Sequence, residues 1–123
     1  MEEKIRVLVI DDEPTVADAL QVILSDRGYE VVVTLNGRDG LKQVDNQMFH
    51  LAITDLRLPD MSGFDVLDCI RKKKPGTPVI VITAYSTPEV IDRLMSNGAM
   101  DVLPKPFVPA DVLNLIYVAL SKK

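Results

Sequence analysis

Acidic residues fall at two separated points of this chain in a pattern that suits a hard cation and an anionic ligand. Asp11, Asp12 and Glu13 are consecutive, and Asp55 stands directly after the run Leu51-Ala-Ile-Thr54. A threonine, Thr83, closes the run Val79-Ile-Val-Ile82, and a lysine, Lys105, precedes Pro106. Brought together, Asp11, Asp12 and Asp55 would repel, each raising the free energy needed to ionise the next. Lys105 can offset one charge, and a divalent ion can offset more. An all-oxygen donor set suits Mg2+, with Mn2+ as a substitute of similar preference. Mg2+ takes about six oxygens and keeps several of them as water. A pocket of Asp oxygens, one backbone carbonyl and open positions meets that demand, and the open positions would admit phosphoryl oxygens. Each residue also has an ordinary role. An Asp pair after a strand commonly starts a helix, and a lysine is by default solvated. What separates the two readings is whether the fold brings these residues together.

The elements that must do so are legible as short apolar runs alternating with amphipathic stretches. Val7–Ile10 is a compact apolar run. Pro14 suits a first helical turn, where its missing N–H would have no partner anyway. Val16, Leu20, Ile23 and Leu24 follow at helical spacing, and Gly28 suits the helix end. Tyr29–Thr34 is rich in β-branched residues and predicts a strand. Asn36-Gly37 predicts a turn, and Leu41 with Val44 one face of a short helix. Leu51–Thr54 predicts a strand and Leu58–Gly63 a loop. Phe64, Leu67 and Ile70 make a helix face ended by Lys72-Lys73-Lys74-Pro75. Val79–Thr83 is a run of β-formers, the mark of a strand buried on both faces. Pro88 opens a helix with Val90, Ile91, Leu94 and Met95, stopped by Asn97-Gly98. Asp101–Leu103 predicts a short strand, and Pro109 opens a last helix with Val112, Leu115, Ile116, Ala119 and Leu120.

Strand–helix alternation of this kind predicts an α/β fold, a five-stranded parallel sheet with helices on both faces, joined by right-handed crossovers. The doubly wound, flavodoxin-like order 2-1-3-4-5 is the expected one. All strand carboxyl ends then share one edge, and strand order reverses between the first and third strands. Ligands bind at such a crevice. Asp11, Asp12 and Asp55 should meet there, with Thr83 and Lys105 alongside.

The 123 residues are expected to form one domain, 1–123, large enough for a real core. With 14 Lys and Arg against 18 Asp and Glu, the net charge is −4, which gives no footprint for a nucleic-acid backbone. Cys69 is the single cysteine, so no intrachain disulfide forms. No apolar run approaches the ~20 residues of a membrane span, and Met1-Glu-Glu-Lys4 lacks a signal-peptide core. A cytoplasmic location is expected.

The segments Val7-Leu-Val-Ile-Asp11-Asp12-Glu13-Pro14, Thr54-Asp55-Leu-Arg57-Leu-Pro59-Asp60-Met-Ser-Gly63, Ile82-Thr83-Ala84 and Lys105-Pro106-Phe107 together resemble the signature of response-regulator receiver domains. Each is weak alone; four in order, each at a strand end, are specific. The resemblance spans essentially the whole chain and implies a role for each matching position. Asp55 would be the phosphoacceptor. Asp12, Asp55 and the Arg57 carbonyl would ligate Mg2+ directly, and Asp11 through a water. Thr83 would hydrogen-bond the transferred phosphoryl group, and Lys105 would pair first with Asp55 and then with phosphoryl oxygens. The Lys105–Pro106 bond would be cis. The partner would be a sensor histidine kinase or a histidine phosphotransfer protein, with an output domain or protein downstream and a phosphorylation-dependent homodimer as one outcome. The chain would be a switch rather than an enzyme on an external substrate. Aspartate, ordinarily ionised at neutral pH, needs no activating base, and metal and lysine charge would stabilise the transferring group.

Other classes fit less well. An aspartate-nucleophile phosphatase of the haloacid-dehalogenase type needs a second Asp two residues after the first, but Glu13 follows Asp11 and Pro14 follows Asp12. A flavin binder would carry a Ser/Thr/Gly-rich phosphate loop where Asp-Asp-Glu stands. A pseudo-receiver, a pure interaction module, would lack one of the chemical positions, and none is missing. The chain departs from many receivers at Val102, where an aromatic ring usually reports the switched state; a β-branched side chain has little reach. Tyr85 is the aromatic nearest the site, so gating is expected to run through Thr83, Tyr85 and Arg57 to the helix at Val90–Met95. Val102 and Tyr117 are expected on a partner-docking face. Asp60 is expected to matter less to the metal than Asp12. His50, Gly63 and Gly98 receive no chemical role, the glycines reading as backbone punctuation.

Overall fold

The computed structural model describes residues 4–121; the expectations about Met1–Glu3 and the last two residues lie outside them. Ten elements follow in strict alternation: β1 (Arg6–Ile10), α1 (Pro14–Asp26), β2 (Glu30–Thr34), α2 (Gly37–Asn46), β3 (Leu51–Asp55), α3 (Gly63–Lys73), β4 (Val79–Thr83), α4 (Pro88–Ser96), β5 (Asp101–Pro104) and α5 (Pro109–Ser121). The strands form one parallel sheet in the order β2-β1-β3-β4-β5, as the alternation predicts.

Side chains on a strand point alternately to the two faces, and the core divides accordingly. Leu8, Ile10, Ala52, Val79 and Val81 pack on one face with Val66, Leu67 and Ile70 of α3, Val44 of α2 and Leu94 of α4. Val7, Val9, Ile53, Ile80 and Ile82 pack on the other with Leu20 and Leu24 of α1 and Val112, Ile116 and Ala119 of α5. The central strands β3 and β4 are buried at every residue, which is why their sequences do not alternate.

Boundaries shift slightly from the sequence reading. Tyr29 lies in the connection between α1 and β2, not in β2: its N–H donates to the Leu24 carbonyl, and Gly28 turns the chain there with φ +84°. β5 extends to Pro104. Val102 is a correction of substance. It is only 9 % exposed, in the core with Leu94 and Ala99, so it cannot form part of a docking surface; Tyr117 is 73 % exposed.

Candidate functional site

Each chemical residue sits where a strand gives out. Asp11 follows β1 and is fully buried; Oδ1 accepts a hydrogen bond from the Glu13 N–H (2.8 Å). Asp12 is exposed. Asp55 is the last residue of β3 and Thr83 the last of β4, both buried. Lys105 follows β5, its N–H bonded to the Thr83 carbonyl at 2.9 Å, and its bond to Pro106 is cis. One carboxylate oxygen from each of Asp11, Asp12 and Asp55 lies within 4.8 Å of the others. The topological crevice between β1 and β3 thus collects the side chains the sequence nominated.

Lys105 Nζ lies 2.9 Å from Asp55 Oδ2 and 3.4 Å from Asp11 Oδ2. It also reaches Glu13 Oε1 at 2.6 Å, a contact not expected from residue types or spacing. Burial alone would lower the Lys105 pKa; the hydrogen bonds to Glu13 and Asp55 and the field of Asp11 outweigh it, and the net shift is upward. The lysine is therefore a fixed positive charge at neutral pH. Burial pushes the Asp11 carboxyl above its ordinary pKa, a rise that the Glu13 N–H partly opposes and the Asp55 charge reinforces.

The residues present fit a divalent cation. Asp11 Oδ2 is buried and, beyond the 3.4 Å ion-pair contact with Lys105, has no hydrogen-bond donor, which leaves acceptor capacity on a buried carboxylate oxygen unused. It belongs to the same three-carboxylate group, whose hard oxygens suit Mg2+.

Thr83 Oγ1 accepts the Tyr85 N–H at 2.8 Å, and the Arg57 guanidinium stacks on the Tyr85 ring, 3.8 Å from its centroid. Tyr85 and Arg57, both nominated from sequence for gating, are thus in contact. A contact of the same type ties α4 to α3, Arg93 over the Phe64 ring at 4.4 Å.

One expectation about the loop after β3 needs correction. Gly63 is not mere punctuation. Its φ is not positive, yet a Cβ there would lie 2.5 Å from the Asp55 carbonyl oxygen and 2.7 Å from Leu56 Cα. Only glycine lets α3 start this close to the end of β3. Asp60, expected to matter less to the metal than Asp12, has a structural role. Its two carboxylate oxygens accept the Gly37 and Arg38 N–H groups, each at 2.9 Å, and so cap α2 from another loop. Such caps lay outside reach because 22 or more positions separate the partners. His50 also has structural work: its Nδ1 accepts the Arg6 N–H at 3.0 Å.

The cap makes a prediction about acid. The Gly37 and then the Arg38 N–H groups hold the Asp60 carboxyl below its ordinary pKa of 3.8. A carboxyl depressed in the folded state contributes stability that is present above the unfolded pKa and lost as pH falls through the folded one. Asp60→Ala should therefore melt below wild type at pH 7, with the gap narrowing as the pH is taken below 3.8. Melting curves across that range check it; a gap that does not change with pH would assign the effect to something other than the carboxylate.

A doubly wound five-stranded domain with an acidic pocket, a buried threonine and a lysine at its carboxyl edge defines a class, and comparison with known proteins agrees. The family model for the response regulator receiver domain matches residues 7–117. The transcriptional regulatory protein ZraR of Escherichia coli K12 is 38 % identical over 104 residues, 85 % of this chain and 24 % of its own length. DltR of Streptococcus agalactiae is 36 % identical over 110 residues, 88 % of this chain and 48 % of its own. This chain therefore spans about a quarter to about half the length of those relatives. A CheY-like receiver domain protein from Methanospirillum hungatei JF-1 superposes with a TM-score of 0.93 at 33 % identity, covering 98 % of this chain and 96 % of its own. The chemotaxis response regulator CheY4 of Vibrio cholerae gives 0.90 at 29 %, covering 96 % and 100 %. The chain belongs to the response regulator receiver domain family, the phosphoacceptor switches of two-component systems.

Proposed function

We propose that Asp55 accepts the phosphoryl group, with Mg2+ held by Asp12, Asp55 and the Arg57 carbonyl and, through water, by Asp11; Mn2+ would substitute. The observation that carries this reading is the Asp55 carboxylate itself, buried at the end of β3, 2.9 Å from Lys105 Nζ and grouped with Asp11 and Asp12. An Asp55 oxygen forms the new bond to phosphorus while the bond from phosphorus to the donor breaks, and the donor leaves with the electron pair. A bound divalent ion supplies positive charge to the phosphoryl oxygens as they transfer. Lys105 supplies a second, fixed positive charge beside Asp55, preorganised and needing no movement of solvent.

Thr83 couples the site to the rest of the chain. Its hydroxyl holds the Tyr85 N–H, so turning it toward a phosphoryl oxygen alters the start of the loop that leads into α4. Arg57 and Tyr85, stacked at the mouth, restrict the approach of water. Buried Val102 packs in one cluster with Leu94 of α4, so movement of that helix would pass to β5 by packing rather than through a swinging ring. The responding surface is α4, β5 and α5, with Tyr117 exposed upon it.

The domain, residues 1–123, would work in the cytoplasm, taking its phosphoryl group from a histidine kinase, a histidine phosphotransfer protein or a small phosphodonor. It would catalyse only its own phosphorylation and dephosphorylation and control an output domain or protein, directly or by homodimerising, with no nucleic acid or membrane bound by this domain. Among the described residues no helix is long and apolar enough to cross a membrane. Incubation with acetyl phosphate and Mg2+ should add one phosphoryl group by intact mass, and EDTA should prevent it. No addition, or equal addition with EDTA, would overturn the reading.

A further inference from the structure

We propose that Glu13 is a positioning residue for Lys105, drawing the ammonium outward in the resting state and competing for it with the phosphoryl oxygens the site receives. The inference rests on Asp55 being the phosphoacceptor. Glu13 occupies the N-cap position of α1, where a side chain commonly bonds the helix's free N–H groups, yet it makes no such bond. It reaches Lys105 instead, 92 positions away, in the shortest of that ammonium's three carboxylate contacts.

The three partners differ in what they can do without the lysine. The side chains of Asp11 and Asp55 are 0 % and 8 % exposed, whereas that of Glu13 is 55 % exposed. Glu13 alone has solvent at hand to replace the ammonium. Lys has three N–H donors, and in the resting geometry carboxylates take their attention. A phosphoryl group on Asp55 brings three more acceptor oxygens and a charge of roughly −2. Lys105 must then yield a partner, and Glu13 is the one that can withdraw into water. Its grip is that of a partly exposed ion pair, so its removal should tighten phosphoryl binding roughly two- to fivefold.

Beryllofluoride stands in for the phosphoryl group in the test. Its affinity is measured by amide NMR titration at saturating Mg2+, so that differences in metal binding drop out. Glu13→Gln is expected to bind roughly two- to fivefold tighter than wild type. Glu13→Asp separates reach from charge. It keeps the charge, but a side chain one methylene shorter falls short of Lys105, so it too should bind more tightly. In both variants the Lys105 Nζ resonance should move in the mimic-free protein, a signature that a helix-capping role would not produce. Affinity of Glu13→Asp equal to wild type, or an unmoved Lys105 resonance, overturns the proposal. Asp55→Asn, titrated alongside, keeps the two readings apart. If it binds the mimic as wild type does, the phosphoacceptor assignment fails and this role with it. If it does not bind while wild type and the Glu13 variants bind alike, only the role of Glu13 fails.

Discussion

Asp55→Asn is expected to bring phosphorylation by acetyl phosphate to background while leaving the protein folded. The amide matches the carboxylate in shape, so the buried end of β3 keeps its packing. It has no anionic oxygen to attack phosphorus, and no other carboxylate stands in the same place: Asp11 is turned to the Glu13 N–H and Lys105, and Asp12 is exposed. Two effects on stability oppose each other. Lys105 loses one partner but keeps Glu13 and Asp11, and the carboxylate cluster loses one of its mutually repelling charges. Far-UV circular dichroism and a melting curve should therefore resemble wild type, while intact mass shows no added phosphoryl group. Full-yield phosphorylation of the variant would remove Asp55 from the role.

Gly63→Ala should produce the largest loss of stability of any single methyl added at this site, about 3 kcal/mol. The three nearest atoms that the new Cβ would meet are all backbone, the Asp55 carbonyl oxygen and carbon and Leu56 Cα, and backbone cannot swing aside as a long side chain does. Gly37 offers the contrast. There the added Cβ would meet only the flexible end of Met61, and a methionine can repack. At Gly63 relief requires α3 to shift from the start set by its capping box, in which Ser62 and Asp65 bond each other's backbone N–H groups. Any such shift pushes directly on Asp55. Phosphorylation yield should fall together with the urea midpoint. A stability loss under about 1 kcal/mol would show that α3 can pivot without strain.

The fold was legible because burial on two faces leaves runs such as Val79–Thr83 with no polar interruption, and because Pro14, Pro88 and Pro109 each open a helix. The site was legible for the same reason: a parallel sheet places every strand end on one edge, so Asp11, Asp55, Thr83 and Lys105 needed only correct strands to converge. What escaped was contact between loops. The reach of Glu13 to Lys105 and of Asp60 to α2 depends on how loops fold over the edge, which no periodicity encodes. Gly63 escaped because the backbone conformation there is ordinary and the constraint is crowding by a neighbouring strand. Val102 was misplaced because a four-residue edge strand gives too short a pattern to tell inward from outward.

The order of the strands also divides the charge pair between two levels of rigidity. Asp55 is rooted in β3, flanked by β1 and β4 and buried throughout, so its amides should exchange only when the whole domain opens. Lys105 hangs from β5, a short strand with one neighbour, the kind of element that opens sub-globally. A local fluctuation can thus withdraw the ammonium while the carboxylate stays in register. The proposed acceptor thus sits in the interior of the sheet, and the cation that pairs with it hangs from the sheet's edge.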